Sequence, residues 1–260
     1  MTTELKFPID MSEYKHVTLN LSRKELTREE LEQIQLNVQL ARDAIVFYTA
    51  LAGAKGLGGH TGGAYDITPE VIIADSLVKD KKNNIFPILF DEAGHRVAIQ
   101  YLMSALNDNM PLERLLEYRE PNGGLPGHPE RGYTPGILFS GGRLGHTWGF
   151  ANGIARANPG KTIIMIGSDG SQEEGNDAEA ARKCVAQNLN VKLFLDDNDV
   201  TIAGHPKDYM PGYDLEKTLS GHGVGTRVCK TPEDVAKLYS AMQSVLIKEG
   251  PQALINRRKM

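Results

Sequence analysis

Asp169 closes a tight segment, Gly167-Ser168-Asp169-Gly170, and Asn198 follows about thirty residues later in Asp196-Asp197-Asn198. A carboxylate and an amide oxygen are hard donors, suited to Mg2+ or Ca2+ rather than to a thiolate-seeking metal. The Val200 carbonyl offers a third oxygen, and three protein oxygens leave half an octahedron open for a diphosphate. Gly170 leaves a bare N–H beside that anion. Alone, Asp169 reads as a strand-end acid capping the next helix. Asn198, at the matching place after the next strand, is what raises the metal reading.

A second set of groups suits proton transfer. His60, His95 and His128 each follow a glycine, in GGHTGG, EAGHR and PGHPE. Any one of them reads as a hydrogen-bonded loop histidine. These three, at strand ends or in long loops, suggest imidazoles brought over a ligand by a permissive backbone, for acid–base work near neutral pH.

These residues need elements that bring them together. Residues 162–166 and 191–195 are short apolar runs rich in β-branched residues, and residues 176–187 between them read as a helix. Strand, helix, strand at this length makes a right-handed unit with parallel strands, so Asp169 and Asn198 emerge side by side at carboxyl ends. Upstream, Thr27-Arg-Glu-Glu30 has capping-box spacing and opens a helix to about residue 52. Residues 53–63 are too glycine-rich for regular structure, and Thr68-Pro69-Glu70 starts a helix with Thr68 as its cap. Residues 85–90 read as a buried strand leading to His95, with a helix to about 106 and a short one over 111–118. Residues 122–143 form a long Gly/Pro loop around His128, a length that usually marks function. Helices over 145–157, 214–220 and from Thr231 to about 248, with strands at 225–228 and 252–257, complete the pattern. The expected fold is α/β, a mostly parallel sheet with helices on both faces. Residues 1–22 read as an N-terminal arm lying over the surface or on a partner, and 23–260 as one domain.

Composition bounds the function. The chain has 260 residues, 40% hydrophobic and 24% charged, with a formal net charge of −4. That supports one full core and argues against nucleic acid as the main partner. No apolar run suits a membrane span and the N-terminus lacks a leader pattern, so a cytoplasmic protein is expected. Cys184 and Cys229 make no metal or disulfide pattern and read as buried free thiols.

Asp169 in Ser-Asp-Gly with Asn198 about thirty residues on resembles the thiamine diphosphate signature, and LDDNDVTIAG resembles its transketolase form. GGHTGGAYD, EAGHR, LPGHPE and SGGRLGHTWGFANGIA resemble further transketolase segments, in family order from about residue 38 to 255. The resemblance implies a thiamine diphosphate-binding fold, with Asp169, Asn198 and the Val200 carbonyl on Mg2+. It implies coenzyme contacts from the Gly170 N–H, Gly142, Leu144, Ile202, Asn198 and His95. It also implies His60, His95 and His128 lining a substrate channel, and Glu174 as the acid communicating with a partner active site. Ser168, Arg143 and His146 depart from the family pattern, as does the missing Ser-Asn before Gly94, and these changes bear on donor preference.

The resemblance further implies ketol transfer between sugar phosphates in pentose phosphate metabolism. The family's activating Glu belongs to a second, pyrimidine-binding half with no trace in this chain. A partner half is therefore expected, in a dimer of halves or a heterotetramer, with this chain a natural split subunit or a cut domain. Two other readings stand beside it: the thiamine-dependent component of a 2-oxo acid dehydrogenase, and a flavodoxin-like binding module without catalysis. His128 in PGHPE argues for a ketol donor, whose hydroxyls it would bind.

Overall fold

Apolar runs separated by helices give a sheet in which every strand pairing is parallel. The computed structural model describes residues 6–258, so the first five residues of the expected arm lie outside the described part. The strands are β1 (Phe90–Asp91), β2 (Ile163–Ser168), β3 (Val191–Asp197), β4 (Gly225–Cys229) and β5 (Gln252–Arg257), in the order β1-β2-β3-β5-β4. Helices α1 (Arg28–Ala54), α3 (Thr68–Lys79), α4 (Val97–Leu106) and α9 (Val235–Leu246) pack on one face. Helices α5 (Thr147–Ala157), α6 (Gly175–Ala186) and α8 (Leu215–Gly221) pack on the other. Two short helices, α2 (Gly62–Asp66) and α7 (Pro206–Tyr209), sit in the loops at the carboxyl ends.

The two cores follow the strand period. Along β2, Ile164 and Ile166 enter the α1/α4 core while Ile163 and Met165 enter the α5/α6 core. A strand buried on both faces has no polar side to show, which is why these runs are unbroken. Cys184 and Cys229 are buried and free, as expected. Residues 6–26 lie along the chain's own helices: Leu19 is buried, its N–H donates to the Ser76 carbonyl, and Gln243 Nε2 donates to the Leu21 carbonyl.

Helix starts test the capping signals one by one. At α1 the capping box is complete: Thr27 Oγ1 accepts from Glu30 N at 3.2 Å, and Glu30 Oε2 accepts from Thr27 N at 2.8 Å. At α3 the expectation fails. Ile67 occupies the cap position, and Thr68 Oγ1 donates back to the Ala64 carbonyl because α2 runs almost directly into α3. The last helix starts at Val235 rather than near Thr231, since it is Asp234 whose carboxylate accepts from Lys237 N at 3.1 Å. The strand expected over 85–90 shrinks to β1 and one isolated bridge, Ile85 to Thr162. Pro87 between them has no N–H to give the ladder.

Candidate active site

β2 and β3 run in register to Ser168 opposite Asp196, which sets Asp169 and the 197–199 turn next to each other at the carboxyl edge. The Asp169 N–H donates to the Asp196 carbonyl at 3.0 Å, extending the pairing one residue beyond the strand. Asp169 is only 4% exposed. Its Oδ1 accepts from Gly170 N at 2.8 Å, and its Oδ2 is buried with no hydrogen-bond partner among the described residues. Burial pushes its pKa up to about 6. A desolvated carboxylate with a free oxygen is a group in want of a cation. It borders a cavity of about 290 Å3, lined also by Asp197, Asp199, Lys207, Tyr213 and Arg257.

Asn198 presents its amide with a defined orientation. Nδ2 donates to Asp66 Oδ2 at 3.0 Å and to Asp196 Oδ2 at 3.3 Å, while Oδ1 accepts from Val200 N at 3.0 Å. The following turn, closed by Thr201 and Gly204, lies against Gly170, where an added Cβ would sit 3.1 Å from Thr201 Cγ2. Among the described residues, no three His, Cys, Asp or Glu side chains group to hold a metal by themselves. Asp169, the Asn198 amide oxygen and a main-chain carbonyl together would offer an oxygen-only donor set, which suits a hard ion. The Gly170 N–H, expected on a diphosphate, donates to Asp169 Oδ1 here. Ile202, expected at the coenzyme, stands fully exposed at the tip of the turn, and Val200 is partly exposed.

The three histidine loops converge. The His60 and His95 rings are 5.2 Å apart. His128 packs on Gly94 and Gly142: a Cβ on Gly94 would fall 2.5 Å from Gly142 N and 2.9 Å from His128 Cδ2. Only glycine lets the His95, His128 and Gly142 loops meet so closely. Burial, helped by the neighbouring Arg96, His60 and His128, lowers the His95 pKa to about 4, so its imidazole is neutral at neutral pH. His60 is lowered as well, by burial and then by Arg119 and His128. Arg119, which no sequence signal singles out, lays its guanidinium against Gly127, where a Cβ would fall 2.9 Å from Nη2. The Leu144 side chain reaches toward Gly170, and Gly145 abuts Glu174 so closely that a Cβ there would collide with the Glu174 side chain. Glu174 is exposed at the start of α6, and Glu173 accepts from the Tyr209 hydroxyl at 3.0 Å.

Sequence reasoning missed the charged framework beneath these groups. Arg96, 1% exposed, donates to Asp91 Oδ1 from Nε and Nη2 and to the Gly167 carbonyl from Nη1 at 3.0 Å. Arg258 donates to Asp196 Oδ1 at 2.7 Å, to both Glu70 oxygens at 2.8 and 3.0 Å, and to the Asp66 carbonyl at 2.6 Å. Asn256 Nδ2 adds a bond to Glu70 at 2.8 Å. One signal was available: Asp91, Glu92, Arg96, Asp196 and Arg258 cluster where strands end, more charge than solvent-facing turns need. Glu92 and Asp177 form a second buried acid pair. Burial raises the pKa of both, and the charge of Glu92 raises Asp177 further.

Comparison with known proteins identifies the family. Residues 52–259 match the family model for the transketolase, thiamine diphosphate binding domain. An apulose-4-phosphate transketolase subunit of Actinobacillus succinogenes is 28% identical over 236 residues, covering 86% of this chain and 83% of that protein. Transketolase of Staphylococcus epidermidis is 26% identical over 235 residues, covering 82% of this chain but 35% of its own length. Among solved structures, transketolase from Leishmania mexicana superposes with a TM-score of 0.72 at 22% identity, over 85% of this chain and 36% of that one. Transketolase from Campylobacter jejuni gives 0.72 at 21%, over 86% and 37%. At these identities the structural likeness is one of fold. The chain spans most of the first relative and about a third of the others.

Proposed function

This chain belongs to the transketolase thiamine diphosphate-binding domain family, and from that membership we propose that it is the metal- and diphosphate-holding half of a split transketolase. Thiamine diphosphate, when bound, supplies a thiazolium carbon able to carry a two-carbon ketol unit from a ketose to an aldose. The observation that carries the reading is the buried, unpartnered Asp169 Oδ2 beside Asn198 at the carboxyl edge, under three converging histidines.

In this reading Asp169 Oδ2, Asn198 Oδ1 and the Val200 carbonyl hold Mg2+. Gly142 and Leu144 face the coenzyme rings, and Ile202 joins them from the exposed turn when a partner closes over it. The Gly170 N–H already steadies Asp169, so it serves the metal ligand first. His95, neutral because burial disfavours its charge, accepts or donates one hydrogen bond without carrying charge into the site. His60 and His128 flank it and bind donor hydroxyls, which favours a ketose over a 2-oxo acid. The first relative is named for a phosphorylated sugar, and we take a sugar phosphate as the substrate class, in cytoplasmic carbohydrate metabolism.

The half-site follows from what the acids here do. Glu173 is engaged by Tyr209 and Glu174 lies exposed beside Gly145 at the start of α6, and in this reading both are on the metal side. The carboxylate that activates the aminopyrimidine then comes from a partner half, seated over the histidine loops and the start of α6, where Glu174 would face it. The test pairs this chain with a pyrimidine-binding half, Mg2+ and thiamine diphosphate, and compares ketose-to-aldose transfer with pyruvate decarboxylation. Transfer dependent on both halves is expected. Thiazolium proton exchange accelerated by this chain alone, followed by NMR, would overturn the half-site reading.

A further inference from the structure

Asn198 can serve a cation only if its oxygen, and not its amide nitrogen, faces the site. Side-chain amides are nearly symmetric in shape, so the choice must be enforced by neighbours. Here it is enforced three times over: Nδ2 lies between two carboxylate oxygens, Asp66 Oδ2 at 3.0 Å and Asp196 Oδ2 at 3.3 Å, and Oδ1 accepts from Val200 N at 3.0 Å. A flipped amide would set oxygen against two carboxylates and N–H against N–H.

The two carboxylates are not equivalent. Asp196 is 3% exposed and tied to Arg258, so it belongs to the framework of the sheet. Asp66 is partly exposed, and its carboxylate makes a single hydrogen bond among the described residues, the one to Asn198. It closes α2, the one-turn helix that starts two residues after His60, and its own carbonyl is held by Arg258 at 2.6 Å. The main chain of Asp66 is thus fixed by the framework while its side chain is spent on Asn198.

We propose that Asp66 is a positioning residue for the metal site, holding the Asn198 amide so that Oδ1 faces the cation, and that it ties the His60 loop to that ligand. The proposal rests on the metal reading above for its purpose, and on the hydrogen-bond geometry for its existence. Groups that orient a ligand from behind typically account for about 10–100-fold in metal affinity.

The experiment uses the full chain and Asp66→Ala. The side-chain amide of Asn198 is assigned by its loss in Asn198→Ser, and its proton exchange is followed by NMR without metal. Mn2+ is then titrated in the presence of thiamine diphosphate, with affinity read by electron paramagnetic resonance. Expected are faster exchange of the Asn198 amide, about tenfold weaker Mn2+ binding and an unshifted thermal midpoint. With a partner half, the Mn2+ concentration for half-activation should rise while turnover at saturating Mn2+ holds. Asp66→Asn, which keeps an acceptor oxygen, should recover most of the affinity. Should Asp66→Ala not fold, Asp66→Ser is read the same way. Unchanged amide exchange in a folded variant overturns the proposal, whatever the metal does. Unchanged Mn2+ affinity beside altered exchange also overturns it, since the orientation would then serve no ligand. Mn2+ binding that survives Asp169→Ala sinks the metal reading instead, a different result from either.

Discussion

Asp169 and Asp196 are the same residue type, at the ends of neighbouring strands, 4% and 3% exposed. Their surroundings are opposite. Asp196 has an arginine on Oδ1 and an amide on Oδ2, with Arg96 Nη1 3.9 Å away. Asp169 has one backbone N–H on Oδ1 and nothing on Oδ2. Burying a carboxylate is costly unless it is paired, so the paired one is framework, and in the proposed reading the unpaired one is the ligand. The Glu92–Asp177 pair qualifies the lesson: both Glu92 oxygens and Asp177 Oδ1 are buried without a partner among the described residues, and burial raises both carboxyls.

Removing the arginine should break the paired case most severely. Arg258→Met leaves Asp196 and Glu70 buried without their cation, and a loss of about 3–5 kcal/mol is expected by urea denaturation. A smaller loss would mean that Asn256, Asn198 and water satisfy those acids unaided. His128→Ala probes the other class, groups left free for a ligand. Turnover with a partner half should fall about a hundredfold, with stability and coenzyme affinity nearly unchanged. Lost coenzyme affinity with full ketol transfer would move His128 out of the substrate channel.

Asp169→Asn should do what few buried substitutions do, stabilising the free protein while abolishing metal-dependent coenzyme binding by calorimetry. The sign follows from the raised pKa. In the wild type the protonated carboxyl favours folding below pH 3.8, and that contribution is lost as the pH climbs through about 6. The variant carries no such loss, so its advantage should open between those values and reach about 3 kcal/mol at neutral pH. A gap that is flat across this window would show that Asp169 is not desolvated as its burial implies. The smallest effect is expected at Asp177→Asn, which can still accept from Gln172 and can donate to Glu92. Neutral to about 1 kcal/mol more stable is the expected outcome in a thermal melt. Marked destabilisation would mean that the pair is held by a bound cation and not by a proton.

How much of this was legible beforehand divides along the same line. The strands around Asp169, the complete capping box at Thr27 and the convergence on Asn198 could be read because each is a local signal: an apolar run, a spacing, a glycine before a histidine. Thr68 misled because its hydroxyl chose the Ala64 carbonyl, a choice made by α2 arriving so close before it. Pro87 cut the first strand short in a place where composition alone favoured β structure. The framework was illegible for a stronger reason. Arg258 meets Glu70 across 188 positions and Arg96 meets the Gly167 carbonyl across 71, and no local pattern marks which distant acid a lone arginine will serve.

Those separations also set an order of events. On a ribosome, Glu70, Asp91 and Asp196 are all made well before Arg258, and contacts of long sequence separation close late. Until residue 258 emerges, the Asp66 carbonyl, Glu70 and Asp196 lack the guanidinium that joins them. The carboxyl edge is therefore among the last parts of the sheet to lock, together with β5, which fills the place between β3 and β4 and supplies Leu254 to one core and Ala253 and Ile255 to the other.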